Sequence, residues 1–534
     1  MQELAGITVI YPSGDKTIYE ILREKGIFLD APCAGNGRCG KCLVCASGSL
    51  SEVTESEIKA LSADELAAGM RLSCQARPTG RCEVRLSQRG KMDIEETATL
   101  GGFVLEPPLT FRDGMAYYYG RELGSADRPV GMAVDIGTTT VVAYFYDMVT
   151  GELLDTESGM NVQRAYGADV ISRIDCCIKD EDALSGQHSA IVGQLNGFIE
   201  AFTSKNGISP WNILHAVVAG NPTMQHLFAG VSPNGIAVAP FTPSSLFGND
   251  VSAGALGLDI SEEAPVFIAP AVSGYVGGDI TAGMASACLQ KAEKPCLYID
   301  IGTNGEMAIG CREFICCCST AAGPAFEGAH IKYGMSSVKG AINRVALRGG
   351  EVVTETIGGG RAVGICGSGL IDAIAVMLRT GAIDETGRLC DSDEMEEPFA
   401  SLVTDEGFRL SEGVYITAQD VREVQLAKAA VAAGISTLLH KKGLGTEDID
   451  RVFVAGGFGA HIDRHSACEI GLLPPELEER IEFIGNAAGA GAICCLLSAE
   501  ERAEIARIAE RCEYIELSAD DFFRDEYIEK MMFE

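Results

Sequence analysis

The chain has 534 residues, of which 47% are apolar and 22% charged, so it is long enough for more than one domain and apolar enough for buried cores. Its formal net charge of −33 argues against nucleic acid as a partner, because phosphates demand a basic surface. Any macromolecular partner is therefore expected to be a protein.

The sequence pattern favours a cytoplasmic protein that does not enter a membrane. The first ten residues have neither the basic segment nor the apolar stretch of a secretory signal. The best candidates for a membrane span, 362–377 and 484–497, are glycine-rich and short. In the cytoplasm, the 20 cysteines are expected to remain thiols or to bind metal, not to form disulfides.

The first predicted elements belong to a small N-terminal domain, residues 1–90. Ile7–Ile10 has the pattern of a strand, and 17–25 that of an amphipathic helix. This order, followed at once by a cysteine-rich loop, is typical of a ferredoxin-like β-grasp domain. The S/T-x-x-E sequences at 54–57 and 62–65 predict two short helices whose first amides are capped by those side chains.

The cysteine spacing is the most informative chemical feature. Cys33, Cys39 and Cys42 follow a C-x5-C-x2-C pattern, and Cys74 comes later in the chain. A plant-type [2Fe-2S] cluster needs three thiolates on one tight loop and a fourth from elsewhere in the fold. The glycines between the first three cysteines suit such a loop, because glycine accepts backbone angles that other residues avoid. The four cysteines therefore predict a [2Fe-2S] cluster and one-electron transfer.

A zinc knuckle is the alternative interpretation of these cysteines. Zinc sites prefer two paired C-x2-C sequences or mixed Cys/His ligands. The four candidate ligands include one C-x2-C, formed by Cys39 and Cys42, and no histidine lies nearby, which favours the iron-sulfur cluster. Cys82 lies in an alternating strand pattern and is expected to be a packing residue.

The region from 91 to 128 is irregular in sequence. It contains Pro107 and Pro108, a glycine pair and three consecutive tyrosines at 117–119. We expect a linker or a small docking segment here.

The rest of the chain carries a weak internal repeat. Asp135-Ile-Gly-Thr and Asp300-Ile-Gly-Thr each follow a strand pattern and precede another strand, which predicts two similar α/β lobes, 129–290 and 291–534. Glycine lets such a turn approach a phosphate, the following amides and hydroxyls can donate hydrogen bonds to it, and the aspartate can hold Mg²⁺ through water. Two such turns can hold a triphosphate between two lobes.

A third glycine-rich element supports a nucleotide site. The sequence from Arg451 to Gly459 reads as a buried strand that ends in a glycine pair, where a flat adenosine could lie against bare backbone. No P-loop sequence is present. Glycines that only shape turns remain the alternative explanation for all three elements.

Together these residues resemble a known family. The two Asp-Ile-Gly-Thr turns and Ala455-Gly-Gly-Phe resemble the phosphate and adenosine motifs of the actin, sugar kinase and chaperone ATPase superfamily. An N-terminal ferredoxin domain fused to such an ATPase resembles the reductive activators of corrinoid-dependent methyltransferase systems, which serve O-demethylases or the corrinoid iron-sulfur protein. Further stretches similar to that family include 220–226 and 322–329.

The resemblance implies an α/β multidomain fold and an ATP-dependent enzyme. The fold would be a β-grasp ferredoxin-like domain, a linker and a duplicated, ribonuclease H-like, two-lobed ATPase. The activity would be reduction of a corrinoid protein from Co(II) to Co(I), with electrons from an external low-potential reductant. The family likeness also implies a homodimer.

The same interpretation assigns roles to individual residues. Cys33, Cys39, Cys42 and Cys74 would ligate the cluster, and Asp135 and Asp300 would organise Mg²⁺. Asp279 and Glu306 would orient the attacking water, with helix capping or turn hydrogen bonding as equal alternatives. Phosphates would be held by Gly137, Thr138, Thr139, Thr140, Gly302, Thr303 and Asn304, and adenosine by Gly456, Gly457 and Phe458.

Other functions remain open at the level of sequence. A small-molecule kinase of the same superfamily would need no iron, so the cysteine loop counts against it. A redox-regulated nucleotide-binding scaffold would show a slow ATPase that no corrinoid protein affects. A third alternative is an ATP-driven electron donor to another low-potential metalloenzyme.

Overall fold

The computed structural model describes residues 7–29, 35, 37, 42–86, 98, 102–456 and 462–533. The described chain forms an N-terminal sheet domain, a small three-stranded sheet and two larger α/β lobes. None of the helices in these ranges combines the length and apolar content that crossing a bilayer requires.

The N-terminal domain is built on a four-stranded sheet with the order β1-β4-β2-β3, in which all neighbours are antiparallel. Helix α1 packs Ile18 and Leu22 onto this sheet, and Cys82 is buried in the same core, as predicted. Capping boxes begin α2 and α3, as the sequence predicted. The elements are β1 (Ile7–Ile10), α1 (Ile18–Glu24), β2 (Leu43–Leu50), α2 (Glu55–Ala60), α3 (Ala63–Ala67), β3 (Met70–Leu72) and β4 (Pro78–Leu86).

The region expected to be a linker or a small docking segment contains a small sheet. Strands β5 (Leu109–Arg112), β6 (Met115–Tyr118) and β7 (Arg121–Ser125) pair as an antiparallel meander. The segment 109–125 is therefore regular in structure although its sequence is irregular, and the expectation of a linker or a small docking segment stays a prediction. Glycines at the turns and strands of only four or five residues hid the alternation of buried and exposed side chains.

The first lobe contains a six-stranded sheet flanked by helices. Its sheet order is β10-β9-β8-β11-β13-β12. Its elements are β8 (Val130–Ile136), β9 (Thr140–Asp147), β10 (Leu153–Met160), α4 (Val170–Lys179), α5 (Ala183–Asn206), β11 (Ile213–Gly220), α6 (Pro222–Ala229), β12 (Asn249–Ser252), α7 (Ala253–Leu256), β13 (Pro265–Ile268) and α8 (Gly278–Ser286).

The second lobe contains a six-stranded sheet of order β24-β23-β14-β15-β16-β25 and two smaller three-stranded sheets. Its elements are β14 (Cys296–Ile301), β15 (Gly305–Gly310), β16 (Ile315–Thr320), β17 (Ala341–Arg348), β18 (Glu351–Thr356), β19 (Gly364–Ile365), α9 (Gly367–Arg379), β20 (Val403–Thr404), β21 (Gly407–Ser411), β22 (Val414–Ile416), α10 (Ala418–Lys442), β23 (Val452–Ala455), α11 (Arg464–Glu469), β24 (Ile481–Gly485), α12 (Ala487–Leu497), α13 (Ala499–Arg511), β25 (Cys512–Tyr514) and α14 (Asp521–Glu529).

The two large sheets share one topology. In the first lobe β10, β9 and β8 are antiparallel neighbours, and β11 and β13 continue the sheet in parallel. In the second lobe β16, β15 and β14 are antiparallel, and β23 and β24 continue in parallel. The structure thus confirms the α/β fold with duplicated lobes that the repeat predicted.

Two helices join the lobes. Helix α8 of the first lobe packs against α12 of the second lobe. Gly491 lies so close to α8 that a Cβ atom there would be 2.2 Å from the carbonyl oxygen of Ala282. A shared core that includes Ala133, Tyr298 and Ile493 continues this contact between the lobes.

Candidate functional site

Two of the four predicted cluster ligands lie side by side. Cys42 directly precedes β2 and Cys74 follows β3, and their sulfur atoms are 3.2 Å apart. Both are buried, at 1% and 5% exposure. The hydrogen bond between the two sulfur atoms lowers the pKa of Cys42 to about 6 and raises that of Cys74. Cys33 and Cys39 lie outside the described residues.

This pair fits an iron-sulfur cluster. Two thiols from different segments converge, and one of them favours the thiolate form, which is the form that binds metal. Gly37 lies against Gln75, where a Cβ atom would come within 2.6 Å of the amide nitrogen. Glycine is favoured at this position because its φ of +70° is one that other residues rarely adopt, whereas the Gln75 side chain could move aside.

A buried ion pair places Cys74. Glu57 caps α2 and also accepts hydrogen bonds from the Arg71 guanidinium, at 2.7 and 3.0 Å, and from the Leu72 amide, at 3.1 Å. Burial would raise the pKa of Glu57, but its hydrogen bonds to Arg71 hold it below the ordinary value. The short strand that leads to Cys74 is therefore fixed to α2.

The cysteine pair faces the first lobe. Cys42, Cys74 and Tyr19 form one apolar cluster with Ala165 and Tyr166, which lie after β10 in the first lobe. The Arg23 guanidinium, on α1, lies over the rings of both Tyr19 and Tyr166, 5.7 and 4.9 Å from their centroids. The ferredoxin domain therefore docks on the first lobe through the surface that surrounds its cysteines.

The turn of the first lobe that is predicted to bind phosphate, residues 135–140 and here called the first phosphate turn, is held by side chains to which the sequence interpretation gave no role. The Gly137 amide donates to the Thr140 carbonyl oxygen at 2.9 Å and closes the turn. Asn161 donates to the Gly137 carbonyl oxygen at 2.8 Å, and Asn221 donates to the Thr138 hydroxyl at 2.9 Å. These contacts leave the turn little freedom.

Arg173 lies directly behind this turn. It is completely buried on α4 and donates to the carbonyl oxygens of Thr138 and Gly167, at 2.5 and 3.0 Å. Burial lowers its pKa to about 9, because a charged form is costly to remove from water. A buried cation thus supports the turn that is predicted to meet a polyanion.

The corresponding turn of the second lobe closes one residue earlier. The Gly302 amide donates to the Asn304 carbonyl oxygen at 2.9 Å, and the Asn304 side chain hydrogen-bonds to Glu306. Gly456, at the end of β23, has a φ of +97°, and a Cβ atom there would lie 2.9 Å from Asp300 Oδ1. Glycine is therefore needed where the third element meets the second turn. Gly457 and Phe458 lie outside the described residues.

The four predicted acidic residues interact electrostatically. Burial raises the pKa of Asp135 to about 7, of Asp279 to about 8 and of Asp300 to about 6, and it raises that of Glu306 well above its ordinary value. Repulsion from Asp300 contributes to the shifts of the other three. Such mutually repelling carboxyls favour a bound cation. In the described part of the chain, no three Asp, Glu, His or Cys side chains are grouped to hold a metal ion directly.

A fifth carboxylate, Glu327, joins the two turns. The Thr139 hydroxyl of the first lobe donates to Glu327 Oε2 at 2.9 Å, and the Thr303 hydroxyl of the second lobe donates to Oε1 at 2.5 Å. The sequence analysis included this residue in a family-like stretch but gave it no role. The glycines on either side of 324–327 were the signal that this segment is sharply bent.

Comparison with known proteins agrees with the three-part architecture. Residues 3–79 match the family model described as the 2Fe-2S iron-sulfur cluster binding domain. Residues 130–292 match the RACo middle region, and residues 294–534 match the C-terminal domain of RACo, the ASKHA domain.

Individual relatives are similar over most of their length. The chain is 37% identical to the corrinoid activation enzyme RamQ of Eubacterium limosum, over 76% of this chain and 71% of that one. It is 26% identical to the [Co(II) methylated amine-specific corrinoid protein] reductase of Methanosarcina barkeri, over 74% and 76% of the two chains. A solved structure of a reductive activator for corrinoid, iron-sulfur protein superposes with a TM-score of 0.71 at 33% identity, covering 98% of this chain and 96% of the other. The chain therefore belongs to the family of corrinoid-activating enzymes that join a 2Fe-2S domain to an ASKHA domain.

Proposed function

We propose that this enzyme uses ATP to drive the reduction of a corrinoid protein from Co(II) to Co(I). One observation carries the proposal. Asn161 and Arg173 donate hydrogen bonds to the first phosphate turn. Tyr166, which lies between them in the chain, packs against Cys42 and Cys74 of the ferredoxin domain. Nucleotide chemistry and electron transfer therefore share a structural element.

The electron path begins at the four cysteines. Cys33, Cys39, Cys42 and Cys74 would hold the [2Fe-2S] cluster, which supplies one electron to cobalt per cycle and is refilled by an external low-potential reductant. Tyr19 and Tyr166 exclude water from the cysteine pair while the ferredoxin domain is docked. Both cysteines are buried in this docked arrangement, and we propose that the domain moves to present the cluster to a partner protein.

The nucleotide would bind between the two lobes. Amides and side chains of Gly137, Thr138, Thr140, Gly302 and Asn304 would hold phosphates, together with the backbone amides of Thr139 and Thr303, whose hydroxyls donate to Glu327. Adenosine would lie along Gly456, Gly457 and Phe458. Asp135 and Asp300 would hold Mg²⁺ through water, which would offset the cost of burying these two carboxylates that raises their pKa values. Asp279 and Glu306 would orient the attacking water from the same acidic group.

The energetics explain why a nucleotide is needed. Plant-type clusters have potentials near about −400 mV. If the corrinoid couple lies about 100 to 200 mV lower, the transfer of one electron is unfavourable by roughly 2 to 5 kcal/mol. ATP can provide free energy of this size by favouring a conformation in which the transfer proceeds.

Residues 161–176, here called the coupling segment, would transmit this free energy. Asn161 and Arg173 attach one side of the segment to Gly137 and Thr138. Tyr166 and Cys176 attach its other side to the ferredoxin domain. A change in the conformation of the first phosphate turn would therefore change the surface on which the ferredoxin domain docks. The nucleotide and the ferredoxin domain would both shift the conformational equilibrium of the coupling segment.

The domain organisation and setting follow from the same proposal. The ferredoxin domain would occupy 1–90, the linker 91–128, and the lobes 129–290 and 291–534. The family likeness supports a homodimer in the cytoplasm, and the charge of −33 supports a protein partner without nucleic acid or membrane contact.

An anaerobic assay with candidate Co(II) corrinoid proteins tests the proposal. We expect Co(I) absorbance to appear with reductant and ATP and to be strongly diminished without ATP. Equal Co(I) formation in both conditions would contradict the coupling. ATP hydrolysis that no corrinoid protein changes, without Co(I), would favour the nucleotide-binding scaffold instead.

A further inference from the structure

The Glu327 carboxylate bridges the two lobes in this structure. Its two carboxylate oxygens each accept a hydroxyl proton, one from Thr139 in the first lobe and one from Thr303 in the second. The three side chains are neither fully buried nor fully exposed. Because Thr139 and Thr303 belong to the two phosphate turns, all three side chains lie close to where the phosphates of a nucleotide held by both turns would bind.

The local chain fixes this carboxylate in place. Phe326 and Ala325, just before it, are buried in the core of the second lobe. Gly323 and Gly328 enclose the short turn with φ values of +79° and +80°, and a Cβ atom at Gly328 would lie 2.6 Å from the Met335 amide nitrogen. Glu327 is thus anchored to the second lobe, and its reach to Thr139 crosses the cleft.

The direction of the hydrogen bonds determines what the threonines can do. A hydroxyl has one proton, and both threonines give theirs to Glu327. Each hydroxyl oxygen then presents lone pairs, which can accept a hydrogen bond from water or bind a hydrated cation. Opening the cleft would leave one carboxylate oxygen without its partner, so this contact favours the closed arrangement.

We infer that Glu327 is a positioning residue for ATP hydrolysis, which holds the two phosphate turns together and orients the Thr139 and Thr303 hydroxyls as acceptors toward the attacking water. In that step the water oxygen bonds to the γ-phosphorus, the bond to the ADP oxygen breaks, and the proton of the water leaves with the released phosphate. This role rests on the proposed function and extends it to a residue outside the two turns.

If Glu327 has this role, replacing it should lower the kcat for ATP hydrolysis without weakening ATP binding. Glu327→Gln keeps the shape of the side chain, but its amide nitrogen cannot accept a hydroxyl proton, so one of the two bonds is lost. We expect its kcat for ATP hydrolysis to fall about tenfold or more, as expected for a lost hydrogen bond to a charged group. Its Kd for ATP should stay the same or decrease, because a negative charge beside the phosphates has been removed.

A mutant cycle distinguishes positioning from simple loss of structure. Thr139→Val combined with Thr303→Val removes the same contact from the other side, and we expect a similar loss of kcat. Adding Glu327→Gln to this pair should cause little further loss, because residues that act as one unit are not additive. The matched control is Thr386→Val with Asp384→Asn, another threonine-carboxylate contact, which lies in an exposed loop after α9.

Hydrolysis is measured by phosphate release without corrinoid protein, affinity by calorimetry with ATP, and folding by thermal melting. The predicted kcat loss with unweakened ATP binding and a control pair at wild-type rate would support the role of Glu327. Wild-type turnover in Glu327→Gln, or additive losses in the cycle, would overturn it and leave the proposed function intact. Absence of ATP hydrolysis in the wild-type protein would overturn both.

Discussion

The guanidinium carbon of Arg23 lies 4.9 Å from the ring centroid of Tyr166, so that a cation of the ferredoxin domain rests on an aromatic ring of the first lobe. Tyr166 belongs to the coupling segment, which also contains Arg173 and thereby contacts the first phosphate turn. In the proposed function, this contact links docking of the ferredoxin domain to the nucleotide site.

Arg23→Ala should weaken the coupling without destroying either activity. A cation–π contact contributes about 1 kcal/mol, so we expect the ratio of Co(I) formation with and without ATP to fall about fivefold. The visible spectrum of the cluster and ATP hydrolysis should remain. Arg81→Ala is the matched control, because Arg81 is an exposed arginine of the same domain that pairs with Glu83. An unchanged ratio in Arg23→Ala would contradict coupling through this contact.

Asp300→Ala should abolish ATP-dependent activation and leave the cluster intact. Asp300 interacts electrostatically with Asp135, Asp279 and Glu306 and lies beside Gly456, so its loss removes the proposed cation site. We expect hydrolysis to fall about a hundredfold or more. The electron paramagnetic resonance signal of the reduced cluster provides the second readout. Loss of that signal in Asp300→Ala would argue against two separable modules.

Cys74→Ala tests the other module. The variant removes one of two sulfur atoms that lie 3.2 Å apart, and we expect it to lose the reducible [2Fe-2S] signal. ATP hydrolysis should persist at a similar rate, because the phosphate turns are held by residues of the two lobes. A normal cluster signal in this variant would exclude Cys74 as a ligand.

Arg173→Met should weaken ATP binding. The change removes a buried cation that donates to the Thr138 carbonyl oxygen, and we expect the Kd for ATP to rise about tenfold. Calorimetry with ATP is the measurement. Lys179→Met is the control, since Lys179 is an exposed cation of the same helix that pairs with Asp175. Equal affinities in the two variants would show that the position of the charge does not matter.

Stability should fall in acid because of His215. This histidine is completely buried on β11, beside the Tyr118 ring and 2.8 Å from the Pro265 carbonyl oxygen, and burial lowers its pKa to about 4. A lowered pKa contributes stability that is present above the unfolded value of 6.5 and lost as the pH falls toward 4. At pH 5 the loss is about 2 kcal/mol relative to pH 7.

Urea unfolding of wild-type protein and His215→Gln at pH 7 and pH 5 checks this expectation. The variant has no imidazole to protonate. The difference between the unfolding free energies of the wild type and the variant should therefore shrink or reverse at pH 5. Asp250 lies nearby and titrates in both proteins, so its effect cancels in the comparison. An identical pH dependence of the two proteins would contradict the role of His215.

Structural features that depend on residues close together in the chain could be predicted from the sequence. The capping pairs at Thr54 and Ser62, the strand around Cys82 and the two Asp-Ile-Gly-Thr hairpins depend on local spacing, and all have the expected structure. The duplicated lobes could also be predicted from the sequence, because two similar hairpins with similar flanking strands indicate two similar sheets.

Contacts across modules could not be predicted in the same way. Glu327 and Thr139 are 188 residues apart, and Arg23 meets Tyr166 across two domains. Nothing in local spacing indicates which loop reaches across a cleft, because this depends on how whole lobes pack. Arg173 was missed for a related reason, since an arginine on a helix is ordinarily solvated and its complete burial appears only in the tertiary structure.

The near-contact of Gly491 with the backbone of Ala282 restricts how the enzyme can move. Helices α8 and α12 touch backbone to backbone at this point. They can rotate relative to each other about the contact, but moving them apart would open a void between them. Rotation there produces small displacements near the axis and larger ones far from it. Distance probes on the outer edges of the two large sheets should therefore report nucleotide-driven motion, whereas probes beside the crossing should stay silent.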